Sequence, residues 1–72
     1  MLEIKTIFKK GALIISLGGE LVEGTIKDLD NIVDLFENDG FSNVIIESKV
    51  KCDEKGIKRL EQIKKMNNVI FI

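Results

Sequence analysis

Four short apolar runs, with two longer segments of helical spacing between them, constrain the fold of this chain more than any other feature. Residues 2–9 alternate between apolar and polar side chains, which is typical of a strand with one half-buried face. Residues 12–17 and 44–46 are almost continuously apolar, as buried strands are, and residues 69–72 form a fourth such run. Lys10-Gly11 favours a tight turn, so the first two strands should form a hairpin.

Two helices are predicted between these strands. Thr25 is the expected N-cap of the first, with Asp28 as a capping-box partner, and residues 38–40 should end it because Gly40 suits a left-handed C-cap. Asp53 is the expected N-cap of the second helix. The apolar stripes expected to face the core are Ile26, Leu29, Ile32, Val33 and Phe36 in the first helix, and Ile57, Leu60 and Ile63 in the second.

The resulting order, β-β-α-β-α-β, predicts an α/β fold with one mixed four-stranded sheet. Because crossovers between parallel strands are right-handed, both helices should lie on one face of that sheet. The 72 residues suffice for one domain that spans residues 1–72. A single core of this size rarely supplies more than ~3–5 kcal/mol of stability.

The sequence lacks the residues that several classes of function require. With no His and one Cys, the sequence has neither a Cys/His zinc site nor an internal disulfide. It also lacks the glycine-rich motifs that bind nucleotide phosphates, so we predict no cofactor and no enzymatic activity. No apolar stretch approaches the ~20 residues of a membrane span. The N-terminal sequence lacks the apolar run of a signal peptide, and the cytoplasm is the expected location.

Charge is distributed unevenly along the chain. Residues 1–48 hold 9 acidic and 4 basic residues (net −5), whereas residues 49–72 hold 3 acidic and 7 basic residues (net +4). The basic residues of the second part are Lys49, Lys51, Lys55, Lys58, Arg59, Lys64 and Lys65. Such a cluster is usually a solvated face, although it can also bind an acidic partner or nucleic acid. Interleaved acidic residues and the absence of Tyr and Trp do not favour nucleic acid.

Residues 53–56, with the sequence DEKG, have two interpretations. The first is a helix start, in which Asp53 caps backbone N–H groups and Glu54 lies at the positive end of the helix dipole. The second is a binding surface. Gly56 lies in the first helical turn, where glycine reduces helix stability, so we expect it to permit close packing against a strand or a partner. Cys52 is expected to be a small buried residue; the alternative is a redox role, which would require nearby lysines to lower its pKa.

Two further features occur before the first helix. Gly18-Gly19 is too short for a phosphate-binding loop and is expected to break the second strand in a turn. Glu20 and Glu23 are paired carboxylates, but without a His or a glycine-rich pocket they do not favour acid–base catalysis.

The stretch GGELVEGT at residues 18–25 resembles the start of a STAS domain, the fold of anti-sigma factor antagonists. In that family a G-E-L-D sequence precedes two or three variable residues, a threonine and a helix with leucine at its fourth position. The matching residues here are Gly19, Glu20, Leu21, Thr25 and Leu29, while Val22 replaces the usual aspartate.

The second signature of the family, D-S-S-G-L, is matched by residues 53–57, with the sequence DEKGI. Neither serine is present. In the family a partner kinase phosphorylates the first serine and thereby switches binding off, and Glu54 stands at that place. A typical STAS domain also continues beyond its fourth strand, so the resemblance implies a shortened STAS-like domain.

The resemblance implies a non-catalytic protein–protein interaction module that acts in partner switching, as in bacterial-type regulation of transcription. The implied partner is an anti-sigma factor or a serine-kinase-like regulator. The expected docking residues are Glu20, Leu21, Val22, Glu23, Thr25, Asp53, Glu54, Lys55 and Gly56. Glu54 is the phosphosite equivalent, with charge −1 against roughly −1.5 to −2 for a phosphate, so it is an imperfect mimic.

The C-terminal run supports a second hypothesis. Val69, Ile70, Phe71 and Ile72 would form a terminal strand, and an edge strand offers unpaired N–H and C=O groups to another chain. The protein would then be a structural subunit of a larger assembly or a homodimer, joined by β-augmentation. The other possibility is that the strand order buries this run.

Overall fold

The computed structural model describes all 72 residues, and it confirms the predicted order β-β-α-β-α-β. The strands are β1 (Leu2–Lys9), β2 (Ala12–Leu21), β3 (Val44–Cys52) and β4 (Val69–Phe71), and the helices are α1 (Ile26–Asn38) and α2 (Glu54–Lys64). No helix is both long and apolar enough to cross a membrane.

The four strands form one mixed sheet in the order β1-β2-β3-β4. β1 and β2 are antiparallel, whereas β2, β3 and β4 run parallel to one another. Lys10 and Gly11 connect the hairpin with φ angles of 53° and 78°. Positive φ at both central positions matches the right-handed twist of paired strands, which explains the glycine in this turn. β4 pairs only with β3, so it lies at an edge as predicted.

The hydrophobic core lies between one face of the sheet and the two helices. It contains twelve residues, which alternate along the strands and recur at helical spacing: Leu2, Leu13, Ile15, Leu17, Leu21, Leu29, Val33, Phe36, Val44, Ile46, Ile63 and Val69. Because residues of both helices and of every strand belong to this one cluster, both helices cover the same face, as predicted. The opposite face of the sheet carries no layer.

The inner strands are longer than the sequence predicted. β2 continues through Gly18-Gly19, so the predicted turn there is wrong, and β3 continues from Ile46 to Cys52. The two strands pair without interruption from Leu13↔Val44 to Leu21↔Cys52. This long register supplies backbone partners to both segments, and it outweighs the low strand propensity of glycine.

Gly19 is required at its position for a specific reason. Its φ is 79°, and a Cβ there would overlap the carbonyl oxygen of Met1. The adjacent residue Glu20 donates its backbone N–H to the same oxygen at 3.1 Å. The glycine therefore permits close contact with the chain before β1, without interrupting β2.

The helix ends match the predictions only in part. Asp53 caps α2, since its side chain accepts a hydrogen bond from Gly56 N–H at 2.8 Å. α1 ends as predicted, with Gly40 at a φ of 70°. Thr25 occupies the N-cap position of α1, but its side chain makes no capping bond, so the capping box with Asp28 is wrong. The Thr25 hydroxyl instead binds the preceding loop.

The inner face of α2 also differs from the predicted stripe. Ile63 is fully buried and Leu60 packs against the core, but Ile57 is exposed, and Gly56 takes the buried position in its place. Glu54 and Lys58 have the i,i+4 spacing of a helical ion pair, as do Glu61 and Lys65, but neither pair forms. Arg59 Nε instead donates to Asp30 Oδ1 of α1 at 2.6 Å, and this bond joins the two helices.

Candidate functional site

The parallel register of β2 and β3 brings the two predicted docking segments together. The strands end side by side at Leu21 and Cys52, so the segment that leads into α1 and the start of α2 emerge next to each other. The backbone N–H of Asp53 donates to Leu21 O at 3.4 Å across this gap. We call the exposed parts of residues 20–25 and 53–56 the junction surface.

Asp53 joins both halves of the junction surface with one carboxylate. Its Oδ1 accepts from Gly56 N–H at 2.8 Å, and its Oδ2 accepts from Glu23 N–H at 3.0 Å. These hydrogen bonds, from Gly56 first and then Glu23, lower the pKa of Asp53 because they stabilise the charged form. A single side chain therefore caps α2 and fixes the loop before α1.

An ion pair adds a second connection between the two halves. Lys55 Nζ donates to Glu23 Oε1 at 2.9 Å, and both side chains are largely exposed. The hydrogen bond and the charge of Glu23 raise the pKa of Lys55, so its amine stays protonated near neutral pH. A protonated amine is a poor nucleophile and a poor base, so this lysine suits recognition better than covalent chemistry.

Thr25 fixes the conformation of the loop. Its Oγ1 accepts from Val22 N–H at 3.0 Å and donates to Glu20 O at 2.9 Å. Val22 O in turn accepts from the backbone N–H groups of Thr25 at 2.9 Å and Ile26 at 3.0 Å. The exposed residues of this loop are consequently held on a turn with few free backbone groups.

Gly56 permits the close approach on which the junction depends. A Cβ at this position would overlap Leu21 O and would lie 3.2 Å from Cys52 Cβ. The close packing expected of this glycine is therefore confirmed, with a strand end as the neighbour. Leu21 is itself fully buried, so its side chain belongs to the core and supports the junction surface from below.

Glu54 lies exposed at the first position of α2 and makes no hydrogen bond or ion pair with another side chain. Glu20 is also exposed and binds the amino group of Met1 at 3.3 Å, whereas Val22 is half-buried. Among the acidic residues of the junction surface, Glu54 alone is thus free to meet another molecule with its whole carboxylate.

Two of the predicted chemical features are corrected by the structure. The pKa of Cys52 is raised, first by burial and then by the charge of Asp53, so nearby lysines do not activate its thiol. The basic cluster is divided between two faces of the molecule. Lys49 lines a shallow depression on the uncovered face of the sheet, whereas Lys58 and Lys64 are exposed on α2, which covers the other face, and Lys65 is exposed at its C-cap.

Comparison with known proteins leaves the site to be interpreted from its geometry. No protein-family model matches the sequence, and no curated protein is significantly similar to it. The sequence predicted residues of the junction surface as docking residues, but it did not predict the bond from Glu23 N–H to Asp53. The two residues are 30 positions apart, and only the register of β2 and β3 brings them together.

Proposed function

We propose that this protein is a non-catalytic interaction module that binds a regulatory protein partner through the junction surface, in the manner of an anti-sigma factor antagonist. The observation that carries the proposal is the bidentate role of Asp53. Because its carboxylate holds both Glu23 and Gly56, two distant segments present one rigid surface. A preorganised surface of this kind loses less conformational entropy when a partner binds.

Glu54 gives the junction surface a permanent negative charge, and the partner must accommodate that charge. Its exposed carboxylate replaces the phosphorylatable serine that the STAS resemblance implies, and serine phosphorylation cannot occur there. The surface is therefore fixed in one charge state. The partner is a serine-kinase-like regulator or anti-sigma factor that accepts an acidic group at this position, in the cytoplasm.

The test is direct binding of the full chain to the serine-kinase-like regulators of its own source. Glu54→Ala should change the Kd by about tenfold or more if the partner reads the carboxylate, since a hydrogen bond to a charged group contributes roughly 1.5–3 kcal/mol. Glu54→Ser should restore a phosphorylatable residue, and phosphorylation of that variant by the partner should then alter binding.

Glu61→Ala is the matched control, because Glu61 is an exposed glutamate on α2 outside the junction surface. It should leave the Kd unchanged. Equal binding by wild type, Glu54→Ala and Glu54→Ser would mean that Glu54 has only a structural role. No binding to any such regulator would contradict the proposal as a whole.

The edge position of β4 favours a second candidate function, that of a subunit in a larger assembly. β4 pairs with β3 on one side only, and Ile70 and Ile72 are exposed. Another chain would add a strand to this edge through main-chain hydrogen bonds. In β4 the backbone groups of Asn68 and Ile72 bond to β3, so the N–H of Phe71 is the donor that faces the free edge. Phe71→Pro removes this donor and should abolish assembly under this hypothesis, while binding at the junction surface should persist.

A further inference from the structure

The face of the sheet opposite the helices is uncovered, and its residues are known from the register. The depression on this face is lined by Glu3, Lys5, Ser16, Leu17, Gly18, Glu47 and Lys49. Side chains alternate between the two faces of a strand, so Ile7 and Ile45 lie on this face with Lys5 and Glu47, and Ile14 lies there with Ser16.

Four isoleucines form a continuous row across this face. The register pairs Ile7 with Ile14, Ile14 with Ile45, and Ile45 with Ile70, so the row crosses every strand. With strands ~4.8 Å apart, the row is about 14 Å long. None of the four belongs to the core cluster or packs against it, and Ile7 is 59% exposed.

The charged side chains beside the isoleucine row indicate which kind of partner would be complementary to the uncovered face. Lys5 and Glu47 flank Ser16 at one level of the sheet, and Glu3 and Lys49 flank Gly18 at the next. β1 and β3 therefore carry opposite charges at both levels, with β2 between them. A rotation of 180° about an axis parallel to β2 exchanges the positions of β1 and β3 and keeps each residue at the same height along the strands. At these two levels the surface is thus complementary to itself.

We infer that two copies of this chain associate face to face through the uncovered sheet, about a two-fold axis parallel to β2. Lys5 of each copy then faces Glu47 of the other, and Glu3 faces Lys49. Ile14 meets its own equivalent at the axis, Ile7 faces Ile45, and Ile70 extends the apolar row at its edge. Two-fold interfaces use the same patch on both subunits, as here. Aligned sheets pack ~10 Å apart, which lets these side chains interdigitate.

This interface is distinct from the surfaces already discussed. The junction surface lies at the C-terminal ends of β2 and β3, and edge pairing would use the backbone of β4. Face-to-face association uses side chains of β1, β2 and β3 together with Ile70 of β4. It leaves accessible the backbone edge of β4 and the residues of the junction surface that lie beyond the strand ends.

The first test is the mass of the full chain by sedimentation equilibrium at low ionic strength. Wild type should be a dimer, and Ile7→Lys should weaken the dimer at least about tenfold, because a buried lysine would face Ile45 twice. Ile57→Lys is the matched control. Ile57 is 50% exposed but lies on α2, on the opposite side of the sheet, and its substitution should leave the dimer intact. Circular dichroism checks that each variant is folded.

The second test uses charge reversal in two different chains. Lys5→Glu alone places like charges at both Lys5–Glu47 contacts, and Glu47→Lys alone does the same, so each homodimer should weaken by severalfold. In an equimolar mixture, the heterodimer has opposite charges at both contacts. Mixing should therefore restore the wild-type dimer fraction, and added salt should reduce the difference.

A monomer at every concentration up to about 1 mM would overturn the inference. A dimer that resists Ile7→Lys, or one that Ile57→Lys disrupts, would also overturn it. Failure of the mixture to recover, with both variants folded, would reject the proposed axis.

Discussion

At the scale of single residues, Gly56 and Asp53 give the junction surface its geometry. Gly56 allows α2 to pack closely against the end of β2, because its missing side chain leaves room for Leu21 O. Asp53 links the loop before α1 to the start of α2, because its two carboxylate oxygens accept hydrogen bonds from backbone N–H groups of both segments. The two residues can be tested separately, since one acts through volume and the other through charge.

Gly56→Ala should destabilise the protein by roughly 2 kcal/mol. Overpacking costs about 1–3 kcal/mol, and the gain in helix propensity is at most about 1 kcal/mol. The added Cβ would overlap a backbone carbonyl, which cannot rotate away, so the upper part of that range applies. Urea denaturation measures the loss, which is a large share of the ~3–5 kcal/mol available to a core of this size.

Gly24→Ala is the control for this prediction. A Cβ at Gly24 meets nothing within 4 Å, and its φ is not positive. Stability should stay the same or rise by up to about 1 kcal/mol, because alanine restricts the unfolded chain. Equal losses in both variants would show that the contact with Leu21 has no energetic role.

Asp53 should make stability depend on pH in the acid range. Its pKa in the folded protein is lowered from 3.8 by the hydrogen bonds from Gly56 and Glu23. A lowered folded-state pKa contributes stability that is fully present above the unfolded value. That stability is lost as the pH falls through the folded-state pKa. The contribution should therefore disappear below pH 3.8.

The measurement compares urea denaturation of wild type and Asp53→Asn at a series of pH values from about 6 to 2. Asparagine still caps the helix but cannot titrate, so the variant should lose less stability on acidification. Parallel pH profiles for the two proteins would contradict the predicted role of this carboxylate.

At the scale of elements, the sequence predicted which segments are helices and strands but underestimated the two inner strands. Period-two and period-3.6 patterns are local, and they located every element. β3 extends beyond Ile46 because its later residues pair with β2, and its polar residues Glu47, Lys49 and Lys51 lie on the face away from the helices. The pairing of β2 with β3 keeps Gly18-Gly19 within the strand, although Gly19 has a positive φ, and no local pattern carries that information.

The candidate site shows the same difference between local sequence signals and properties that depend on strand pairing. Asp53 was identifiable as a cap, because a helix start is a local signal. Its bond to Glu23 depends on two strands ending at the same level, which is a property of the sheet. Ile57 was assigned to the core from its spacing, but the buried position belongs to Gly56, because α2 approaches the end of β2 too closely for a side chain.

The ion pair between α1 and α2 should couple the two helices. Arg59 and Asp30 side chains are 28% and 41% exposed, so water and salt screen the 2.6 Å contact only in part. A double-mutant cycle with Arg59→Ala and Asp30→Ala should give a coupling of about 0.5–1 kcal/mol at low salt, and less at high salt.

A cycle with Glu61→Ala and Lys65→Ala is the control, because Glu61 of α2 and the C-cap residue Lys65 form no ion pair. Its coupling should be near zero. Strict additivity for Arg59 and Asp30 as well would mean that the observed contact contributes nothing to the packing of the two helices.

At the scale of the whole molecule, the core occupies one side of the sheet only. The twelve core residues lie between the sheet and the two helices, while four isoleucines on the other side of the sheet contact no second layer. Domains usually bury a sheet face against another element. A second copy would provide that layer, and folding and association would then be thermodynamically linked.

This linkage makes the melting temperature depend on protein concentration. A partner that binds only the folded state stabilises it by mass action, so the midpoint of thermal unfolding of wild type should rise as the chain becomes more concentrated. Ile7→Lys removes the apolar contact but alters a 59% exposed side chain, so its midpoint should start near that of dilute wild type and stay constant. Ile57→Lys should retain the concentration dependence. A wild-type midpoint that is independent of concentration would show that the folded chain is stable with one face of its sheet in water, and that the isoleucine row is not an interface between copies.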